Sequence, residues 1–157
     1  MFKTIIWATD GSEAADRALP HARALAESGK GSLVVLHCKE LLVGRGGGYP
    51  VYVDEDELAE KVRGQADELR STGLDVTLQL ASSAASGVAH TIADVARGLG
   101  GDVIVVGTRG HAPTVGLLLG SVTQRLLHIA PCPVLAVPPH ELAELAVPDR
   151  EVAEVAH

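Results

Sequence analysis

The chain has 157 residues, 46% of them hydrophobic and 21% charged, with a net charge of −7. That is a one-domain length with enough apolar residues to build a core without disulfides or metals, so a disordered chain is excluded. An acidic balance with only 3% aromatics also excludes a basic nucleic-acid footprint or an aromatic stacking platform.

Thr4-Ile5-Ile6-Trp7-Ala8-Thr9 is a short apolar run rich in β-branched residues, which predicts a strand buried on both faces. Asp10-Gly11-Ser12 stops it. Ser12 is placed to cap a helix with Glu13 and Asp16 in its first turn. Ala15, Leu19, Ala22 and Ala26 recur at helical spacing, Pro20 should kink that helix, and Gly29 should end it. Ser32 to Cys38 reads as a second buried strand. Residues 41–54, rich in glycine, read as a long flexible connector. Glu55 to Ser71 is a polar helix with Leu58, Val62, Ala66 and Leu69 on one face, and Asp54 to Glu57 suit the positive end of its dipole better than a metal.

Leu74 to Leu80 alternates apolar with polar, the pattern of an edge strand. Ser86 to Leu99 predicts a helix burying Val88, Ile92, Val95 and Leu99. Val103 to Val106 is a further fully apolar strand. A helix should start at Gly120 or Ser121 and run through Val122, Leu126, Leu127 and Ile129, and Cys132 to Val137 is the last strand. Strands alternating with helices predict an α/β fold, a parallel sheet with helices on both faces. The domain is expected to span residues 1–139. An acidic C-terminal tail, 140–157, follows, in which five carboxylates face the single cation Arg150.

No run reaches the roughly 18 residues of a membrane span, and the apolar start is too short for a signal peptide. Cys38 and Cys132 sit in apolar segments and read as reduced thiols of a cytoplasmic protein.

The chemistry points to the end of the Val103 strand. Gly107-Thr108-Arg109-Gly110 is followed nine residues later by Gly120-Ser121. Glycines there let backbone approach a ligand, and a helix start offers free N–H groups and a positive dipole end to an anion. The residues alone leave a second reading open, in which Gly110 and Gly120 are turn residues and Ser121 is a plain N-cap. There is no Walker P-loop, and the seven histidines form no zinc-ligand spacing.

The spaced motif Gly107-x2-Gly110-x9-Gly120-Ser121 resembles the nucleotide-binding signature of the universal stress protein family, in its ATP-binding branch. Asp10-Gly11-Ser12, Val105 to His111, Leu117 to Val122 and Ala130 to Leu135 match other pieces of that family, and the resemblance covers residues 3–138. It implies an open five-stranded parallel sheet of order 3-2-1-4-5, Rossmann-like, with a ligand at the switch point between strands 1 and 4. It also implies ATP as ligand, held by Ala8, Asp10, Val106, Gly107, Arg109, Gly110, Gly120, Ser121 and Val122, with Asp10 on the ribose and Mg²⁺ on the phosphates. A homodimer is expected through the last strand, at Cys132, Val134, Leu135 and Val137. Two departures stand out: Val115 and Gly116 occupy places where many members carry basic residues, and Ser86-Gly87-Val88 stands for Gly-x-Pro.

The expected output is a nucleotide-dependent conformation or assembly in a stress response, with hydrolysis slow or absent and no catalytic residues assigned. Two alternatives remain: a slow ATPase or phosphoryl-transfer enzyme, and a dimeric interaction module that binds AMP, cyclic AMP or no nucleotide.

Overall fold

In the computed structural model, which describes residues 1–39, 55–83, 87–109 and 119–138, nine elements alternate strand and helix. They are β1 (Thr4–Thr9), α1 (Glu13–Gly29), β2 (Ser32–Lys39), α2 (Glu55–Ser71), β3 (Val76–Ser82), α3 (Val88–Leu99), β4 (Val103–Gly107), α4 (Ser121–Ile129) and β5 (Val134–Val137). The five strands form one sheet in the order β3-β2-β1-β4-β5, and every pair is parallel. The expected α/β architecture and strand order are thus borne out.

Side-chain alternation along the strands builds two apolar layers. Ile5, Trp7, Leu33, Val35, Val103 and Val105 meet α1 and α2 on one face. Ile6, Ala8, Val34, Leu36, Ile104 and Val106 meet α3 and α4 on the other. Trp7 is fully buried, and its indole N–H donates to the Ala15 carbonyl at 3.0 Å, so its one polar atom is satisfied. Both helix layers lean on small residues: α1 buries Ala15, Ala18, Ala22 and Ala26, and α3 buries Ala89, Ala93 and Ala96 with Ile92.

Here the structure departs from the sequence reading of α3. Leu99 is 43% exposed, and Val88 and Val95 sit at the margin of the buried face. The alanine stripe lets the helix axis come closer to the sheet than a valine and leucine stripe would, and the helix is rotated to use it. Leu127 of α4 is 52% exposed, while Leu126 is fully buried.

Two strand boundaries also move. β3 lies two residues later than expected, because β2 begins at Ser32 and pairing starts at Leu33↔Val76, leaving Leu74 no partner strand. The pairing then continues to Lys39↔Ser82. β5 starts at Val134 rather than Cys132, since Pro133 has no N–H to give and contributes only its carbonyl, which accepts from Ile104 N–H.

Helix α1 runs without a break through exposed Pro20 and closes one residue beyond the expected stop. Lys30, not Gly29, takes the left-handed conformation (φ 47°), and its N–H reaches Ala26 and Glu27 carbonyls. Gly29 serves a different end: a Cβ on it would collide with the Phe2 carbonyl. At the same end of the molecule Asp102 accepts from the Thr4 and Lys3 backbone N–H groups at 2.8 and 2.7 Å, tying the start of β1 to the start of β4. No helix among the described residues is long and apolar enough to cross a membrane. The 41–54 connector and the 140–157 tail lie outside the described residues.

Candidate functional site

The chain leaves β1 for α1 on one face of the sheet and leaves neighbouring β4 for α4 on the other. The two connections diverge, which opens a crevice above the carboxyl ends of β1 and β4. The strands are held in register there by Ile5↔Val103, Ile6↔Ile104 and Trp7↔Val105.

On the β1 side the turn is closed and rigid. Thr9 Oγ1 accepts from Gly11 N–H at 3.0 Å. Asp10 Oδ1 accepts from both the backbone N–H of Ser12, at 3.0 Å, and its hydroxyl. Ser12 Oγ in turn accepts from Ala15 N–H at 3.2 Å and caps α1, as its position in the sequence predicts. Asp10 is partly buried, and these bonds hold its carboxylate within the turn at the carboxyl end of β1. Gly11 needs to be glycine twice over: its φ is +77°, and a Cβ there would lie 2.5 Å from Leu58 Cδ2.

On the β4 side the helix end is left open. Gly120, not Ser121, is the N-cap of α4, with φ −70° and ψ 158°, and among the described residues no side chain caps the first turn. Ser121 is the first helical residue. The N–H groups of Ser121, Val122 and Thr123 therefore have no intrahelical acceptor. The Thr123 hydroxyl is spent below, donating to the Gly107 carbonyl at 2.9 Å. Gly120 N–H donates to the Thr108 carbonyl at 2.6 Å, which pins the helix start beside the end of β4.

Two polar atoms at this end are buried and unpaired, Thr108 Oγ1 and Arg109 Nε. An unpaired buried donor or acceptor is costly, so both are suited to a ligand that satisfies them. Exposed Ser121, Gln124, Arg125 and His128 line a groove along α4.

Set against the expected site, the residues separate by role. Asp10, Arg109, Gly120, Ser121 and Val122 are gathered at the carboxyl ends of β1 and β4. Ala8 and Val106 are there too, but their side chains are 8% and 4% exposed and packed in the α3/α4 layer, which leaves only their backbone for a ligand. Gly107 has a packing reason to lack a side chain, because a Cβ would stand 2.5 Å from the Ala14 carbonyl oxygen. Gly110 and His111 lie outside the described residues, as do Val115 and Gly116. Cys38, at the end of β2, is a free thiol whose pKa burial pushes up to about 11, so it stays protonated and acts as an apolar filler. Sequence reasoning overlooked His37 and Lys61, which touch the β1–α1 turn from other elements. His37 stands inside an apolar run, a signal that could have marked it as a buried, partnered histidine.

The universal stress protein family model matches residues 1–138. The chain belongs to the universal stress protein family. A universal stress protein of Thermus aquaticus is 37% identical over 147 residues, covering 87% of this chain and 99% of its own. The universal stress protein MJ0577 of Methanocaldococcus jannaschii is 29% identical over 154 residues, covering 87% and 95%. A solved structure of MJ0577 superposes with a TM-score of 0.70 at 26% identity, over 88% of this chain and 97% of that one. A universal stress protein solved in complex with cAMP shares the fold, with a TM-score of 0.60 at 22% identity over 87% of this chain and 96% of its own.

Within this universal stress protein no group of three or more His, Cys, Asp or Glu side chains is placed to hold a metal among the described residues. The two sides of the crevice differ in chemistry. A carboxylate that accepts hydrogen bonds stands at the end of β1 and a helix start that donates them follows β4, which suits a ligand with hydroxyls at one end and an anion at the other.

Proposed function

We propose that this universal stress protein binds ATP in the crevice between β1 and β4, and that it works through a nucleotide-dependent conformation or assembly. The observation that carries the reading is the glycine-capped, unsealed start of α4. The dihedrals of Gly120 are open to any residue, so the backbone conformation does not require glycine there. What glycine supplies is closeness: phosphate oxygens can approach the N–H groups of Ser121, Val122 and Thr123 with no side chain between.

In this reading Gly120, Ser121 and Val122 hold the phosphates, with Gly110 completing the loop and Gly107 shaping its base. Arg109 supplies the positive charge that Val115 and Gly116 do not. Asp10 accepts from the ribose hydroxyls, and backbone at Ala8 and Val106 borders the base. Mg²⁺ travels on the phosphates. This reading assigns no residue to activate water, so hydrolysis is slow. The protein acts in the cytoplasm as a homodimer through β5. That strand is a sheet edge whose Leu135 is 39% exposed. Val137 is 8% exposed and belongs to the protein's own core, so Leu135, with Val134 and Cys132 beside it, carries the side-chain contact.

Native mass spectrometry of the protein as purified, followed by calorimetric titration with ATP, AMP and cAMP, tests this. ATP retained, or bound in preference to the other two, supports it. Preference for cAMP or AMP, or no heat with any of the three, refutes the ATP assignment.

A further inference from the structure

The β1–α1 turn that presents Asp10 is not held by its own hydrogen bonds alone. One stripe of α2 is laid over it. Leu58 sits where a Gly11 side chain would be, 2.5 Å from that ideal Cβ position. One turn further along, the Lys61 ammonium donates to the Gly11 carbonyl at 2.7 Å and to Asp16 Oδ2, also at 2.7 Å. Gln65 donates to the other oxygen of Asp16 at 2.9 Å. Positions 58, 61 and 65 are three and four apart, so they share a helix face.

These contacts bridge about fifty residues of sequence. Lys61 joins two groups that the turn itself leaves apart: the carbonyl of its middle residue, and the carboxylate in the first turn of α1. The Lys61 and Asp16 side chains are 40% and 31% exposed, so as an ion pair they stabilise the fold only weakly. The second acceptor is what gives the lysine a role. A charge-assisted bond to a backbone carbonyl fixes the peptide plane between Gly11 and Ser12, and with it the Ser12 N–H that Asp10 Oδ1 accepts. A surface ion pair alone needs no such contact.

The geometry points to Lys61 as a positioning residue for the ligand site: from α2 it locks the Asp10-Gly11-Ser12 turn and so sets the direction in which Asp10 presents its carboxylate. The role in binding rests on the ATP reading above, and the lock itself does not. Any ligand that pulls on Asp10 is felt at α2 through the same bond.

The test compares Lys61→Met, which keeps the apolar stem and removes the charge, with Lys61→Arg, which restores it. In ligand-free protein, amide hydrogen exchange at Gly11 and Ser12 should accelerate about tenfold in Lys61→Met, while the amides of Ile6 and Val105 in the sheet stay protected. ATP affinity should fall about tenfold and 2′-deoxy-ATP affinity by less, because the variant misplaces the carboxylate that reads the ribose. Lys61→Arg should return both readouts toward wild type. Unchanged exchange at Gly11 and Ser12 overturns the lock, whatever the protein binds. Faster exchange with wild-type affinity and an unchanged ratio of ATP to 2′-deoxy-ATP overturns the positioning role. A wild-type protein that binds no ATP refutes the nucleotide reading instead, and the exchange result then decides the lock on its own.

Discussion

Replacing Gly120 with Asp separates what α4 needs for its own stability from what a phosphate needs. Gly120 already has the extended dihedrals of an N-cap, φ −70° and ψ 158°, and aspartate adopts these without strain. Its carboxylate would accept from Val122 or Thr123 N–H, one of the donors α4 now leaves open. An N-cap Asp is worth a few tenths of a kcal/mol over Gly, and its charge at the positive helix end adds about 0.3–1 kcal/mol. For a chain of this size that is a melting temperature higher by about 1–4 °C. The same carboxylate occupies the phosphate position and repels it. Losing two charge-assisted bonds, at about 1.5 kcal/mol each or more, costs at least about 3 kcal/mol, or over a hundredfold in affinity. The assay is differential scanning calorimetry of the ligand-free variant beside a titration with ATP. A more stable protein that has lost ATP is the expected outcome. Wild-type affinity in the folded variant would refute the reasoning, and so would a fall in melting temperature, which would mean that the helix start is not the open cap described.

Gly107→Ala should do the reverse of Gly120→Asp: the new Cβ meets the Ala14 carbonyl oxygen at 2.5 Å, so α1 must shift, and urea titration should show a loss of about 1–3 kcal/mol. Unchanged stability would show that α1 yields freely there. Asp102 is held below its usual pKa by the Thr4 backbone N–H and then by that of Lys3, so its contribution is present above the unfolded value near 3.8 and is lost as pH falls through the lower folded value. An acid titration of stability should therefore be shallower in Asp102→Asn than in wild type, and parallel curves would contradict the clamp. Leu135→Glu places a charge on the β5 edge and should leave a folded monomer in sedimentation, whereas an intact dimer would move the interface elsewhere.

Much of the fold was legible because its strands are buried on both faces. Continuous apolar runs such as Thr4 to Thr9 and Val103 to Val106 have one interpretation in a chain that alternates them with helices. What the pattern does not carry is where pairing begins. β3 starts at Val76 because Leu33 is there to meet it, and that is a property of two segments over forty residues apart. The buried face of α3 misled for a related reason: valine and leucine are the obvious core candidates, yet closeness to the sheet favours Ala89, Ala93 and Ala96. In the candidate site, the glycine spacing singled out the connection from β4 to α4 but could not divide the glycines by role. Gly107 answers to Ala14 and Gly11 to Leu58, both contacts with other elements. Lys61 carried no local signal at all, since a lysine on a polar helix is what a solvated face looks like.

The two helix starts at the crevice show how one residue type serves opposite ends. α1 and α4 both begin beside a serine at the carboxyl end of adjacent strands. Ser12 is the cap itself: its hydroxyl accepts from Ala15 N–H, its own N–H is taken by Asp10, and the start of α1 carries a side-chain cap. Ser121 stands one position further in, behind a glycine, so its hydroxyl cannot fold back as the cap and the first turn of α4 stays unsealed. A capped helix start beside a carboxylate, and one without a side-chain cap beside Arg109, give the two sides a difference in polarity. An anion would be drawn to the α4 side and turned from the Asp10 side, and in the proposed reading this orients the nucleotide before any contact with its base.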